Sequence, residues 1–142
     1  MSETRHSSRT LRSIGAVLAG LLATVVLSLG VDVVLHATRI YPPWGETMAD
    51  SLFALATAYR LVFNIAGCYI AARLAPDRPM FHALGLGVIG VVLATAGAVA
   101  TWNAVPPLGP KWYPVVLIVT ALPCAWVGGK LREMQLRKLA TS

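Results

Sequence analysis

Residues 14–31 read IGAVLAGLLATVVLSLGV, a run with no charge anywhere in it. An α-helix rises about 1.5 Å per residue and the hydrocarbon core of a bilayer is about 30 Å thick, so a spanning helix needs about 20 mostly apolar residues. The run carries on through Val33, Val34 and Leu35, which sets a first span over residues 14–37. Three more stretches meet the same test. Residues 51–72 are apolar apart from Arg60 and Asn64, residues 81–103 are rich in Gly, Ala and Val, and residues 113–129 close the series. The expected fold is all-α, a polytopic membrane protein built as a four-transmembrane-helix bundle.

Composition agrees. Hydrophobic residues make up 56% of the 142-residue chain and charged residues 13%, against about 25% charged in a typical soluble domain. Too few charges remain to cover a water-facing surface. Proline marks the connections, because it cannot donate to a helix and disfavours helix in the residue before it. Pro42 and Pro43 follow the first span, Pro76 and Pro79 separate the second from the third, and Pro106, Pro107 and Pro110 precede the fourth. Asp50 and Ser51 are the expected N-caps of the second helix, and Pro114 suits the first turn of the fourth. Pro123, midway along the fourth, predicts a kink.

Basic residues orient the spans. Arg5, Arg9 and Arg12 in the N-terminal tail, Arg73 and Arg78 in the central loop, and Lys130, Arg132, Arg137 and Lys138 in the C-terminal tail share one side of a four-span chain. Arg39 and Lys111 share the other. Positive residues concentrate on the cytoplasmic face, so both termini are expected inside (N-in/C-in). Tyr41, Trp44, Trp102, Trp112 and Tyr113 gather at the outer interface and Tyr69 and Trp126 towards the inner one, where half-wet aromatic rings are favoured. The domain plan is a polar basic tail over residues 1–13, read as mobile, a transmembrane domain over 14–129, and a basic tail over 130–142 that extends the fourth helix. A cleaved leader is the competing reading of the N-terminus. The apolar run exceeds the 7–15 residues of a leader's core, so an uncleaved span is expected.

The spans are not uniformly apolar. Thr24, Ser28, Asp32 and His36 recur every four residues, and Thr57, Arg60, Asn64 and Cys68 every three or four. Each set forms one stripe on its helix, and a short connection makes the two helices antiparallel neighbours. A lone charge at mid-span costs about 2.5–3.5 kcal/mol on insertion scales. The expectation is therefore an Asp32–Arg60 ion pair, with Ser28 and Asn64 adding hydrogen bonds and His36 and Tyr59 close by. This polar site reads either as a structural clasp or as a transport site. On the third span, Ala83/Gly87 and Gly90/Ala94/Ala98 have the four-residue spacing of small residues that lets helices approach closely; Gly87, Gly90 and Ala94 are the expected packing positions.

Several chemistries lack their residues. Cys68 and Cys124 form no CxxC pair and read as small packing residues. His36 and His82 fall near opposite ends of different spans, so neither haem nor any other cofactor is expected, and no metal site, since no further ligands gather beside either histidine. Ser28 and His36 are roughly 12 Å apart along the helix axis, too far for a nucleophile–base pair. The basic clusters lack interleaved aromatics, so nucleic acid is not an expected partner. The expected partners are the lipid bilayer, anionic lipid headgroups, and a homo-oligomer or another membrane protein. The stretch Gly67-Cys-Tyr-Ile-Ala-Ala-Arg-Leu-Ala-Pro76, with His82 and the glycines after it, resembles a pattern in small four-helix bacterial inner-membrane proteins that have no assigned activity. The resemblance covers about a quarter of the chain. It implies a bacterial inner-membrane location and a non-enzymatic role as a structural or interaction component, and it transfers no active-site residue. A small oligomeric transporter or channel-like protein using Asp32 and Arg60 is the alternative expectation.

Overall fold

The computed structural model of the chain describes the backbone of residues 2–142 and the side chains of residues 7–142. Four helices account for the regular structure of the described residues: α1 (Ser2–Ala37), α2 (Asp50–Leu74), α3 (Pro79–Thr101) and α4 (Trp112–Thr141). All four are long and apolar enough to cross a membrane.

The helix boundaries have local causes. α1 stops where Arg39 takes a left-handed conformation (φ 59°), a common way to end a helix. The Tyr41 N–H donates back to Leu35 O at 3.0 Å, and Pro42 and Pro43 prevent any continuation. The expected caps of α2 are not the ones found. Ala49 is the N-cap and carries no side-chain cap; its carbonyl accepts from the N–H groups of Leu52 (2.9 Å) and Phe53 (3.3 Å). Asp50 lies one position inside, where its charge suits the positive end of the helix dipole. α3 opens on Pro79, a residue preorganised for a first turn. α4 continues through Pro123 as one helix. The described part of the polar segment before Ser13 is a helical extension of α1. At about 1.5 Å per residue α1 is roughly 54 Å long and α4 roughly 45 Å, against roughly 38 Å and 35 Å for α2 and α3.

α2 is the hub. Both α1 and α4 pack extensively on it, α3 packs along α4 and more lightly against α2 and α1, and α1 and α4 do not touch. Close packing follows from small residues at the crossings. A Cβ on Gly67 would lie 2.6 Å from Gly20 O and run into Thr24 Oγ1, and one on Gly128 would lie 2.7 Å from Ile65 O. Only glycine allows α1 and α4 to come this near α2. Cys68, Ala71, Ala72, Ala83, Leu86 and Ala125 form the buried cluster, all in the half of the bundle nearer the termini. The two cysteines, Cys68 in this cluster and Cys124 outside it, are buried free thiols. Gly87 and Gly90 face Ala125 and Ala121 of α4, so the small-residue face of α3 serves the internal α3–α4 seam; Gly90 and Ala94 also line a cavity. Gly85 and Gly97 have open space around them. Outward, Leu18, Leu22, Val26, Val33, Val92, Val99 and Val119 are each more than half exposed, leaving an aliphatic surface.

Candidate functional site

The polar stripes of α1 and α2 meet in the half of the bundle nearer the 38–49 and 102–111 connections. Asp32 lies five residues before the end of α1 and Arg60 ten residues into α2, a difference in height of roughly 7 Å that the long arginine side chain covers. Arg60 Nη2 donates to Asp32 Oδ2 at 2.5 Å. The Tyr59 hydroxyl donates to the other oxygen, Oδ1. Adjacent residues on α2 therefore straddle one carboxylate of α1. Asp32 is 7% exposed, and a buried charge is tolerable only when paired and hydrogen-bonded in this way.

A second layer comes from the α1–α2 connection. Tyr41, 3% exposed, places its hydroxyl 3.2 Å from the Tyr59 hydroxyl and 3.3 Å from Leu52 O. Tyr59 gives its proton to Asp32, so the single proton of Tyr41 serves either Leu52 O or the Tyr59 oxygen. His36 does not reach the carboxylate. Its Nδ1 donates to the backbone oxygen of Asp32 at 2.7 Å, and a carbonyl can only accept, so Nδ1 holds the proton. The ring stacks on Trp44 at 3.6 Å and meets Tyr41 edge-on at 5.3 Å. On the other side, the Arg60 guanidinium lies 6.0 Å from the centre of the Tyr113 ring on α4, a distance at which a cation and an aromatic face attract. Its Nε is buried without a hydrogen-bond partner.

Ser28 and Asn64 are not bonded to the ion pair, contrary to expectation. Tyr59 takes the place they were expected to fill, because it is one residue from Arg60 and its ring reaches across the groove. Asn64 accepts a long contact from Cys68 Sγ at 3.8 Å. Ser28, Asn64, Thr24 and Arg60 instead line a cavity of about 320 Å³ whose remaining walls are apolar and come from all four helices, Leu93, Ala94 and Leu117 among them. Thr24 Oγ1 lies 3.0 Å from Gly20 O on its own helix and 3.4 Å from Phe63 O on α2.

Tyr41, Trp44 and Tyr113 belong to the site and were read from sequence only as interfacial aromatics. Nothing in their spacing links them to Asp32; the loop and the α4 crossing do. His82 is remote, buried on α3 with Nδ1 on Arg78 O at 3.1 Å. Among the described residues no cluster of three His, Cys, Asp or Glu side chains is arranged to hold a metal. Comparison of the chain with protein-family models, curated proteins and solved structures gives no match.

Proposed function

We propose that this chain is a four-span integral membrane protein of a bacterial inner membrane, with both termini cytoplasmic, acting as a non-enzymatic structural or interaction component. Its aliphatic surface calls for a hydrocarbon solvent. Nine basic residues on the side of the termini against two on the other support the orientation. The resemblance of residues 67–76 supports the compartment.

The engagement of both Asp32 oxygens carries the functional reading. Tyr59 and Arg60 each occupy one, so the carboxylate serves to join α1 to α2 instead of standing open to a proton or substrate. α1 depends most on this clasp, since nearly all its packing is against α2, with a light contact to α3 and none to α4. Its exposed aliphatic face (Leu18, Leu22, Val26, Leu29 and Val33) is the surface available to lipid, to a second copy or to a membrane-protein partner.

The cavity beside Arg60, Asn64 and Ser28 favours a second reading, a small oligomeric transporter or channel-like protein. Asp32→Asn separates the two: a clasp loses stability in detergent, whereas a transport site keeps its stability and loses flux in proteoliposomes.

Single-cysteine labelling tests topology, with Cys68 and Cys124 both buried. Leu108→Cys reacts with an impermeant maleimide in intact spheroplasts, and Ser142→Cys reacts only after lysis. Reversed accessibility overturns the orientation, and equal accessibility overturns the four-span arrangement.

A further inference from the structure

The outer faces of α2 and α4 diverge near the terminal end. Val62, Ile65 and Ala66 of α2 and Leu131 and Met134 of α4 line a groove of about 560 Å³, and Lys138 stands at its edge. Polar side chains tie the two helices together there. The Tyr69 hydroxyl donates to Gln135 Oε1 at 2.8 Å, Arg132 Nη1 donates to the same oxygen at 2.7 Å, and Arg73 Nη1 donates to the Tyr69 hydroxyl at 3.2 Å.

The charged groups bonded to this hub, Arg73 and Arg132, are both basic. Among the described residues the ion pairs are Asp32–Arg60 and Lys130–Glu133. Among the described residues, Arg73, Arg132 and Lys138 have no carboxylate partner. The two guanidinium groups are held by neutral oxygens, which position them without cancelling their charge, and each keeps donors to spare. Lys138 lines the apolar groove, and Arg73 and Arg132 are bonded to Tyr69 and Gln135 in its wall; this charge beside an apolar surface calls for an occupant with an anionic oxygen-rich head and a hydrocarbon tail.

We infer that this α2–α4 groove binds an anionic phospholipid. Arg73, Arg132 and Lys138 hold the phosphate, and an acyl chain lies along Val62, Ile65 and Ala66. The site rests on the membrane reading above, in which this end of the bundle sits at the cytoplasmic headgroups. Basic pockets between helices on that face suit such heads. A zwitterionic lipid brings its own cation into a site that already has three and gains less.

The test titrates phosphatidylglycerol and phosphatidylcholine into the full chain in mild detergent and reads bound lipid by native mass spectrometry. Arg73→Gln combined with Lys138→Gln removes two exposed charges from the groove. Arg9→Gln combined with Arg12→Gln removes the same charge from α1, which does not line the groove. Each basic group near a headgroup contributes about fivefold, so the groove variant is expected to bind phosphatidylglycerol about thirtyfold more weakly, with the control close to wild type. Equal losses in the two variants overturn the proposal in favour of diffuse surface charge. Equal wild-type affinity for the two lipids overturns it as well. Cell fractionation keeps the premises apart: a chain recovered outside the membrane refutes the membrane reading, and a membrane-bound chain without lipid preference refutes the groove alone.

Discussion

Removing either member of the Asp32–Arg60 pair should destabilise the bundle, and removing both should cost much less than the sum. Asp32→Asn keeps the size of the side chain and an acceptor for Tyr59, but it leaves the guanidinium without a counter-charge. A lone arginine near mid-helix costs about 2.5–3.5 kcal/mol on insertion scales. Arg60 keeps 33% of its side chain exposed, so solvent or a snorkelling path recovers part of that, and the expected loss is about 2 kcal/mol. Arg60→Gln strands a carboxylate whose side chain is only 10% exposed, and the expected loss is about 2–3 kcal/mol. The double variant replaces an ion pair with two neutral groups able to hydrogen-bond, and it should lose about 2–3 kcal/mol instead of the 4–5 kcal/mol of simple addition. Equilibrium unfolding in mixed SDS micelles, followed by far-UV circular dichroism, gives all four corners of the cycle. Additivity within about 0.5 kcal/mol would mean that the two charges do not depend on each other. The clasp would then be wrong, however short the contact.

Two other substitutions probe the same architecture. Tyr59→Phe removes the donor to Asp32 Oδ1 and the contact with Tyr41; it should cost about 1 kcal/mol in the same assay, and an unchanged midpoint would show that Arg60 alone satisfies the carboxylate. Gly67→Ala drives a methyl group against Gly20 O and Thr24 and should cost about 1–3 kcal/mol, while Gly97→Ala, with open space around it, should be neutral or gain up to about 1 kcal/mol; equal effects at the two positions would refute the close α1–α2 crossing.

The number of helices, their approximate limits and the pairing of Asp32 with Arg60 were legible along the chain. Each depends on something one-dimensional: the length of an apolar run, the positions of prolines, or a three- or four-residue recurrence on a helix. The same patterns did not reveal the partners of the pair. Ser28 and Asn64 share the stripes yet line the cavity, and Tyr59, off the stripe, takes the second carboxylate oxygen. A helical stripe is about 100° wide, so periodicity narrows a side chain to a face but not to one neighbour on it. Tyr41 enters the site because the 38–49 connection folds back over the α1–α2 seam, and Tyr113 because α4 crosses α2 beside Arg60. No local pattern encodes either event. The helical form of the N-terminal polar segment was not legible for a related reason: low hydrophobicity suggests a tail, yet helix propagation costs little once a long apolar helix has nucleated.

The sequence by itself determined a chain of four long apolar helices with positive charge gathered at one end, because length, hydropathy and charge are properties of the residues in order. Only the tertiary structure decided that α2 is the hub, that α1 and α4 stay apart, that Gly20, Gly67 and Gly128 are crossing points, and that the Asp32 carboxylate is closed by Tyr59 and Arg60. Those outcomes depend on which faces meet and how near the backbones come. Distance across the bundle has no counterpart in distance along the chain.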